Sequence, residues 1–549
     1  MYLVPMRARG FLVAAAIAVA TAGAYFGLTQ NEYVDYDDFA YVVDDPAVSS
    51  PLGFATIEAA FRPSHEVAYW QPLTVLSFAV DHALFGASPV ASHLENLLWH
   101  LLTALAVFLL LQRATGEFWR ASAVAALFAL HPIAVESVAW ATERRTVLSA
   151  FLGLSSFLAY SEWARRGGRL RYAAALLLFA ASLLAKGLLL PGAALLLALD
   201  FWPLRRSAWK RSVLEVVPFG AISAAVAATV LYTLGAGAGG EPPLGLRLEN
   251  AAVLPLRQLF HLAWPVRLGP YYPYPLEVPA WQWSLSAAAL LGVSGAALRL
   301  RRRAPYLLFG WIWFLAALAP TLGLKQGGQW AALADRHAYV ASVGIFAAAA
   351  WGVADLARRR RAVAAGLGAA AAVFLAAVTA RQVGFWRDSV ALFERADEVA
   401  DRADPRIKFG LGKSLVNAGQ FEEGEAFLSQ AIALSPGHYD AYFCLGRAYL
   451  IDGKGRDERA AELLARAIRL HPAHAAARAK LGTALNRMGR FTDTIAVLKD
   501  GPWLPEGRLN LGVAYLATGR PDLAWTQAVA LGQSPQGALL RGLIGKSRP

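Results

Sequence analysis

Residues 33–45, YVDYDDFAYVVDD, place five aspartates in thirteen positions. A carboxylate in an apolar setting is raised toward neutrality and becomes a general base, whereas grouped carboxylates hold hard cations. Asp37 and Asp38 stand among Tyr33, Tyr36, Phe39 and Tyr41. That setting is either an aromatic belt at headgroup level or a pocket that desolvates a base. A second group lies in HPIAVESVAWATERR, residues 131–145, with His131, Glu136, Glu143, Arg144 and Arg145. Lys186 interrupts an apolar stretch, and Asp335 and Arg336 lie between Lys325 and His337. Arginine and lysine are the side chains that bind phosphate. A carboxylate that deprotonates an acceptor, opposite cations that hold a phosphorylated donor, suits glycosyl transfer from a polyprenyl phosphate sugar.

Plainer roles compete at each position. An acidic loop can keep positive charge off the exported side, although acids are weak topology signals. Arg144 and Arg145 can anchor a loop, Lys186 can snorkel to the interface, and His131 and His93 can be ordinary interfacial histidines. No spacing resembles a zinc site, and Asp-x-Asp-Asp leaves room for a divalent cation, Mg or Mn, without requiring one.

The elements that must carry these residues are membrane helices. The chain has 549 residues, 57% hydrophobic and 17% charged, with a mean hydropathy of +0.40, too apolar for a soluble globule of this size. Its net charge of +13 comes from short arginine clusters between apolar runs, the pattern of cytoplasmic loops rather than of nucleic-acid binding. Cys444 is the single cysteine, which excludes an intramolecular disulfide and a cysteine redox pair. Apolar runs near 10–29, 94–112, 121–138, 146–163, 172–185, 187–200, 213–234, 283–299, 305–323, 338–356 and 362–380 predict about eleven crossings. The first run follows Arg7 and Arg9 and also has the features of a signal peptide.

Arginine and lysine at 113, 120, 165–171, 205–211, 301–303 and 358–361 place those loops and the N-terminus inside. The first exported loop, 30–93, then contains the aspartates with His65, Glu66, Asp81 and His93, and Glu95 and Asn96 follow at its end. The other groups follow it outward: residues 131–145, a hairpin tip at Lys186, 325–337 and everything after 380. The stretch 251–268, broken by Pro255, Arg257, His261 and Pro265, reads as an interfacial or re-entrant helix.

Beyond residue 380 a repeat appears. Leu-Gly pairs at 411, 445, 481 and 511 are 34, 36 and 30 residues apart, near the 34-residue tetratricopeptide period. Gly424, Leu428, Ala431 and Pro436 recur as Ala460, Leu464, Ala467 and Pro472, small residues where paired helices meet and a proline where the second ends. Residues 387–403 read as a half-repeat capping the array. The expected organisation is a membrane domain over 1–380 and an α-solenoid over 381–549, all-α throughout.

The runs YDDFAYVVDDPAV, YWQPLTVLSFAVDHALFGASPVASHLENLLWH, HPIAVESVAWATERRTVLS, LLAKGLLLPGAALLLALDFWPL, LAWPVRLGPYYPYP, ADRHAYVASVG and FWRDSVALFERA resemble the bacterial relatives of the transmembrane and tetratricopeptide-repeat family. That family is similar in turn to the O-mannosyltransferases of GT-C membrane fold. The resemblance implies transfer of a sugar, mannose in the eukaryotic relatives, from a polyprenyl phosphate donor to protein hydroxyls. The setting it implies is the periplasmic side of a bacterial inner membrane, with the repeats recruiting the acceptor protein.

The family's acidic doublet matches Asp37-Asp38, one of them the base. Its His-Pro-x-x-x-Glu and Glu-Arg match His131, Pro132, Glu136, Glu143 and Arg144, its loop lysine matches Lys186, and its Asp-Arg matches Asp335-Arg336. The donor phosphate is expected to meet some of Arg144, Arg145, Lys186 and Arg336. The chain departs from the family at Gln71, Asp45, Ser92, Thr146 and Ala341, where relatives have His, Asn, His, Asp and Pro. A membrane-anchored scaffold for envelope assembly and a glycan polymerase or ligase using lipid-linked sugar are the rival readings. An anchor needs one or two spans, so eleven favour an enzyme.

Overall fold

The computed structural model describes residues 6–63, 70–234, 242–324, 331–501 and 504–546, and all regular structure among them is helical. His65, Glu66 and Lys325 lie outside the described residues. The chain divides into two compact units, Met1–Asp401 and Arg402–Pro549.

In the first unit five helices are long and apolar enough to cross a membrane: Pro89–Thr115, Trp209–Thr233, Ala280–Leu300, Asp335–Leu356 and Arg361–Gly384. A sixth is reached if Phe118–Leu130 and Pro132–Ala139, bent by 52°, form one span. The eleven expected crossings include elements below that standard. Gly10–Ala24, Pro72–Phe85, Gly192–Phe201 and Pro305–Thr321 are apolar but shorter. Arg144–Arg166 is long enough, yet serines and terminal charges dilute it. Those serines serve its neighbour Arg169–Ala185: Ser156 Oγ donates to Ala175 O at 2.7 Å, and the Ser149 and Ser182 hydroxyls lie 3.1 Å apart. Polar contacts between helices replace the hydrophobic drive that lipid cannot supply.

Two glycines allow a close helix crossing. A Cβ on Gly310 would lie 2.3 Å from Gly344 O, and one on Gly344 would lie 2.4 Å from Gly310 O. Pro305–Leu318 and Ala338–Leu356 therefore touch backbone to backbone, which sets the turn Asp335–His337 at the head of the latter. Lys186 falls at the break between Arg169–Ala185 and the short turn Gly187–Leu189. Leu244–Ala263, over the stretch read as interfacial, is amphipathic with Pro255 inside it.

The first unit runs past the boundary expected at 380. Ser389–Val399 packs inside it, because Arg395 gives Nε to Leu268 O at 2.9 Å and Nη2 to Val266 O at 3.0 Å. The same segment reaches the first loop: Ser389 Oγ accepts from Asp35 N at 2.8 Å, and Arg387 O from Glu32 N at 2.7 Å.

The second unit is a run of helix pairs, beginning with Pro405–Asn417 and Phe421–Leu434, then Tyr439–Ile451 and Asp457–Leu470. Small residues seat each pair, as the 34-residue pattern requires: a Cβ on Gly412 would lie 2.8 Å from Leu428 N. Leu428, Ala431, Leu445, Ala460, Leu464 and Ala467 are buried.

Candidate active site

The doublet separates into two roles. Asp38 is fully buried. Its Oδ1 accepts from Thr142 N at 2.9 Å and Thr142 Oγ1 at 2.6 Å, and its Oδ2 accepts from Val34 N at 3.0 Å. Burial pushes its carboxyl up to about 6, against the pull of those donors. With both oxygens engaged it ties the first loop to the turn Ala141–Glu143. Asp37 keeps 32% of its side chain exposed, with Oδ2 4.0 Å from Arg145 Nη2. Burial raises its carboxyl, while Arg145 and Arg336 draw it down. Asp45 caps Pro46–Ser49 by accepting from Ala47 N at 2.8 Å.

Opposite Asp37, three cations gather on Glu143, whose side chain is buried. Arg145 Nε and Nη2 each lie 2.7 Å from its Oε1, Lys186 Nζ lies 2.8 Å from Oε2, and Arg336 Nε lies 3.6 Å from Oε1. Burial alone would raise the Glu143 carboxyl, but Arg145, Lys186 and Arg336 outweigh it and hold the group well below the carboxylate range. Thr146 donates its hydroxyl to Oε2 and takes Lys186 Nζ at 2.8 Å. Burial pulls the Lys186 ammonium down to about 8; Glu143 opposes this, and Arg145 and Arg336 add to it.

Glu136 secures Arg336 twice, accepting from its Nη1 and, at 2.6 Å, from its backbone N–H. Trp140 lies between the two arginines, its ring 5.7 Å from Arg145 Cζ and 5.3 Å from Arg336 Cζ. Tyr36 packs on Trp140 at 4.9 Å between ring centroids. Asp37, Glu136, Glu143, Arg145, Lys186 and Arg336 thus form one constellation, with aromatic rings that lower the local dielectric.

Three residues expected to bind substrate, Arg144, His131 and Asp335, have other partners. Arg144 is fully buried and turned to the other side, with Nη1 2.7 Å from both Asp81 Oδ2 and Glu95 Oε2, Nε donating to Asn96 Oδ1 at 2.8 Å and Nη2 to Ser92 O at 3.1 Å. Asn96 passes that restraint on: its Nδ2 lies 3.1 to 3.3 Å from the carbonyls of Val138, Trp140 and Ala141. Consecutive arginines at a helix start project to different faces, which the pair in the sequence does not reveal. His131 accepts from Ile133 N at Nδ1, 3.1 Å away, so Nε2 carries the proton and donates to Leu262 O at 3.0 Å. Asp335 Oδ1 accepts from His261 Nδ1 at 2.8 Å and Oδ2 from the Tyr272 hydroxyl at 2.9 Å.

Among the described residues no group of three His, Cys, Asp or Glu side chains converges to hold a metal. Asp38 turns to Thr142 and Val34 and Asp45 to a helix start, so these acids do not close a cation cage around Asp37. Thr142, Trp140 and Tyr272 belong to the arrangement but carry no charge, and a search for acids and bases passes over them. Their one signal is position, since Trp140 and Thr142 lie inside the HPIAVESVAWATERR run.

The human protein O-mannosyl-transferase TMTC1 is 33% identical over 172 residues, 29% of this chain and 19% of the human one. Drosophila melanogaster protein O-mannosyl-transferase Tmtc2 is 34% identical over 124 residues, 21% of this chain and 13% of the fly one. The aligned regions thus span less than a fifth of the length of each relative. The chain is similar to both and is their distant relative. Tetratricopeptide-repeat models match 374–437, 409–457 and 452–502. A thermophilic TPR protein of Thermus thermophilus is 27% identical, covering 29% of this chain and 88% of that one with a TM-score of 0.24. A family model described as a 6-pyruvoyl-tetrahydropterin synthase related domain, membrane protein, matches 67–387, more than half of the chain. The chain belongs to this family of membrane proteins with a 6-pyruvoyl-tetrahydropterin synthase related domain.

Proposed function

We propose that the chain is a membrane glycosyltransferase that moves a sugar, mannose by analogy with the named relatives, from a polyprenyl phosphate to protein hydroxyls. The observation that carries this reading is Asp37, a half-exposed carboxylate 4.0 Å from Arg145, whose partner Glu143 also collects Lys186 and Arg336. Asp37 takes the proton of the acceptor hydroxyl as its oxygen attacks the anomeric carbon. The carbon–oxygen bond to phosphate breaks and its electron pair stays on the phosphate. Arg145, Lys186 and Arg336 meet the charge that grows there, with Glu143 and Glu136 fixing their positions in advance.

The same proposal places the site on the exported face of a bacterial inner membrane. It takes a GT-C-like bundle of eleven crossings, in which short helices span with their neighbours. The repeats over 402–546 are also exported and engage the acceptor protein. A reporter fused at Pro549 reads the topology, and a cytoplasmic signal there overturns it.

The test of activity is glycoproteomics of a deletion strain complemented with wild type, Asp37→Asn or Asp38→Asn. Loss of a protein glycan on deletion, restored by wild type and not by Asp37→Asn, is expected. A glycan profile untouched by deletion refutes the enzyme and leaves the scaffold. Loss confined to a polysaccharide points to a polymerase or ligase.

A further inference from the structure

We propose that His261 is the acid of the reaction, protonating the phosphate as it leaves the sugar. This rests on the glycosyltransferase reading above and adds the group that completes its proton balance.

Three observations place it. Asp335 Oδ1 accepts from His261 Nδ1 at 2.8 Å, and Tyr272 OH occupies the other carboxylate oxygen at 2.9 Å while accepting from Gly269 N at 2.8 Å. The carboxylate only accepts, so Nδ1 carries its hydrogen and the ring is fixed with Nε2 pointing away. The Tyr272 ring backs the imidazole at 5.2 Å. His261 keeps 14% of its side chain exposed, and Nε2 makes no hydrogen bond among the described residues. It is the open end of a triad whose other polar atoms are all engaged.

The triad adjoins the phosphate-binding group. Asp335 and Arg336 share the turn Asp335–His337; Asp335 turns to His261 while Arg336 turns to Glu136 and Glu143. The next residue of the helix, Leu262, accepts from His131 at 3.0 Å, which fastens the His261 end of Leu244–Ala263 to the segment bearing Glu136. A carboxylate–imidazole pair with its second nitrogen unengaged among the described residues, held from the turn that also carries Arg336, is more than a helix tie needs. A tie would be met by Tyr272 and His131 alone.

The chemistry requires such a group. A polyprenyl phosphate sugar is a phosphodiester with one negative charge, and breaking its sugar bond leaves a monoester that gains a second. An imidazolium N–H is a competent acid toward a phosphate oxygen, so Nε2 can supply that proton. The acceptor oxygen bonds to the anomeric carbon and its proton goes to Asp37. The electron pair of the broken bond goes to the phosphate, the Nε2 proton follows it, and His261 is left neutral. Solvent returns the Asp37 proton to the imidazole before the next turnover.

The experiment uses full-length protein in membrane vesicles of the deletion strain, with radiolabelled polyprenyl phosphate mannose and the native acceptors. Wild type, Asp37→Asn, His261→Ala and His261→Gln are compared with and without added imidazole. His261→Ala is expected to lose about a hundredfold in turnover with KM for the donor within about twofold, and imidazole is expected to restore part of it. Imidazole should not restore Asp37→Asn. Wild-type turnover in His261→Ala overturns the proposal, as does a loss in correctly melting protein that imidazole leaves unchanged. Where His261→Ala does not fold, His261→Gln decides: it keeps a donor toward Asp335 but has no proton to give, so full turnover there overturns the proposal. A wild type that transfers no label refutes the glycosyltransferase reading instead.

Discussion

Asp38 accepts both the backbone N–H and the hydroxyl of Thr142, 104 residues away, through the single oxygen Oδ1. Among the described residues Asp37, its neighbour, has no such tether and faces Arg145. Adjacent carboxylates of one doublet are thus assigned to different work by the donors around them.

Asp37→Asn should abolish transfer while leaving thermal stability within about 0.5 kcal/mol. Asp38→Asn should cost about 1–3 kcal/mol, because an amide NH₂ replaces one of two acceptors and leaves a buried donor unmet. Thermal melts in detergent and glycan occupancy separate the two, and equal melts for both variants would contradict the division.

Thr142→Val removes the hydroxyl bond to Asp38 and keeps the backbone one. A loss of about 1–2 kcal/mol is expected. In a double-mutant cycle with Asp38→Asn the losses should fall short of additivity, and fully additive losses would show that the two residues stabilise the protein independently.

Arg144→Met and Arg145→Met should differ in kind. Arg144→Met strands Asp81 and Glu95 and should cost about 3–5 kcal/mol, seen as a lowered melting temperature or lost expression. Arg145→Met leaves Glu143 with Lys186 and Arg336 and should lower transfer far more than stability. Donor titration and melting of both variants check the contrast.

Lys186, held at about 8 by burial against the pull of Glu143, loses its charge as pH rises through that value. Donor affinity should fall about tenfold between roughly pH 7 and 9 in wild type. Lys186→Arg, charged throughout, should flatten that dependence, and an equal slope in both would show that Lys186 does not meet the phosphate.

Helix class and the repeats were legible in the sequence because hydropathy and spacing are local properties; Arg145, Lys186 and Arg336 were visible as charges, but not their meeting on Glu143. The separation of Asp37 from Asp38 was not, since it turns on where Thr142 falls after folding. Arg144 and Arg145 look alike in sequence, and one helical step decides which meets Glu143. His261 stood in view only as an interruption of an apolar stretch, without the Asp335 that gives it meaning. Hydropathy marks 146–163 as a crossing, but it does not show that serines of the helix there, Arg144–Arg166, bond to Arg169–Ala185.

The contacts from Ser389 and Arg387 to the first loop bear on how the protein can be cut. Among the described residues the last long apolar helix ends at Gly384, and a fragment stopped there keeps those helices but loses the strap over Glu32 and Asp35. Such a fragment is expected to insert and to present Asp37 on a loop that keeps the Asp38–Thr142 tie but not its hold at Glu32 and Asp35. The shortest piece with a complete site runs to Asp401, so the repeats can be removed without the site only when the cut falls beyond that strap.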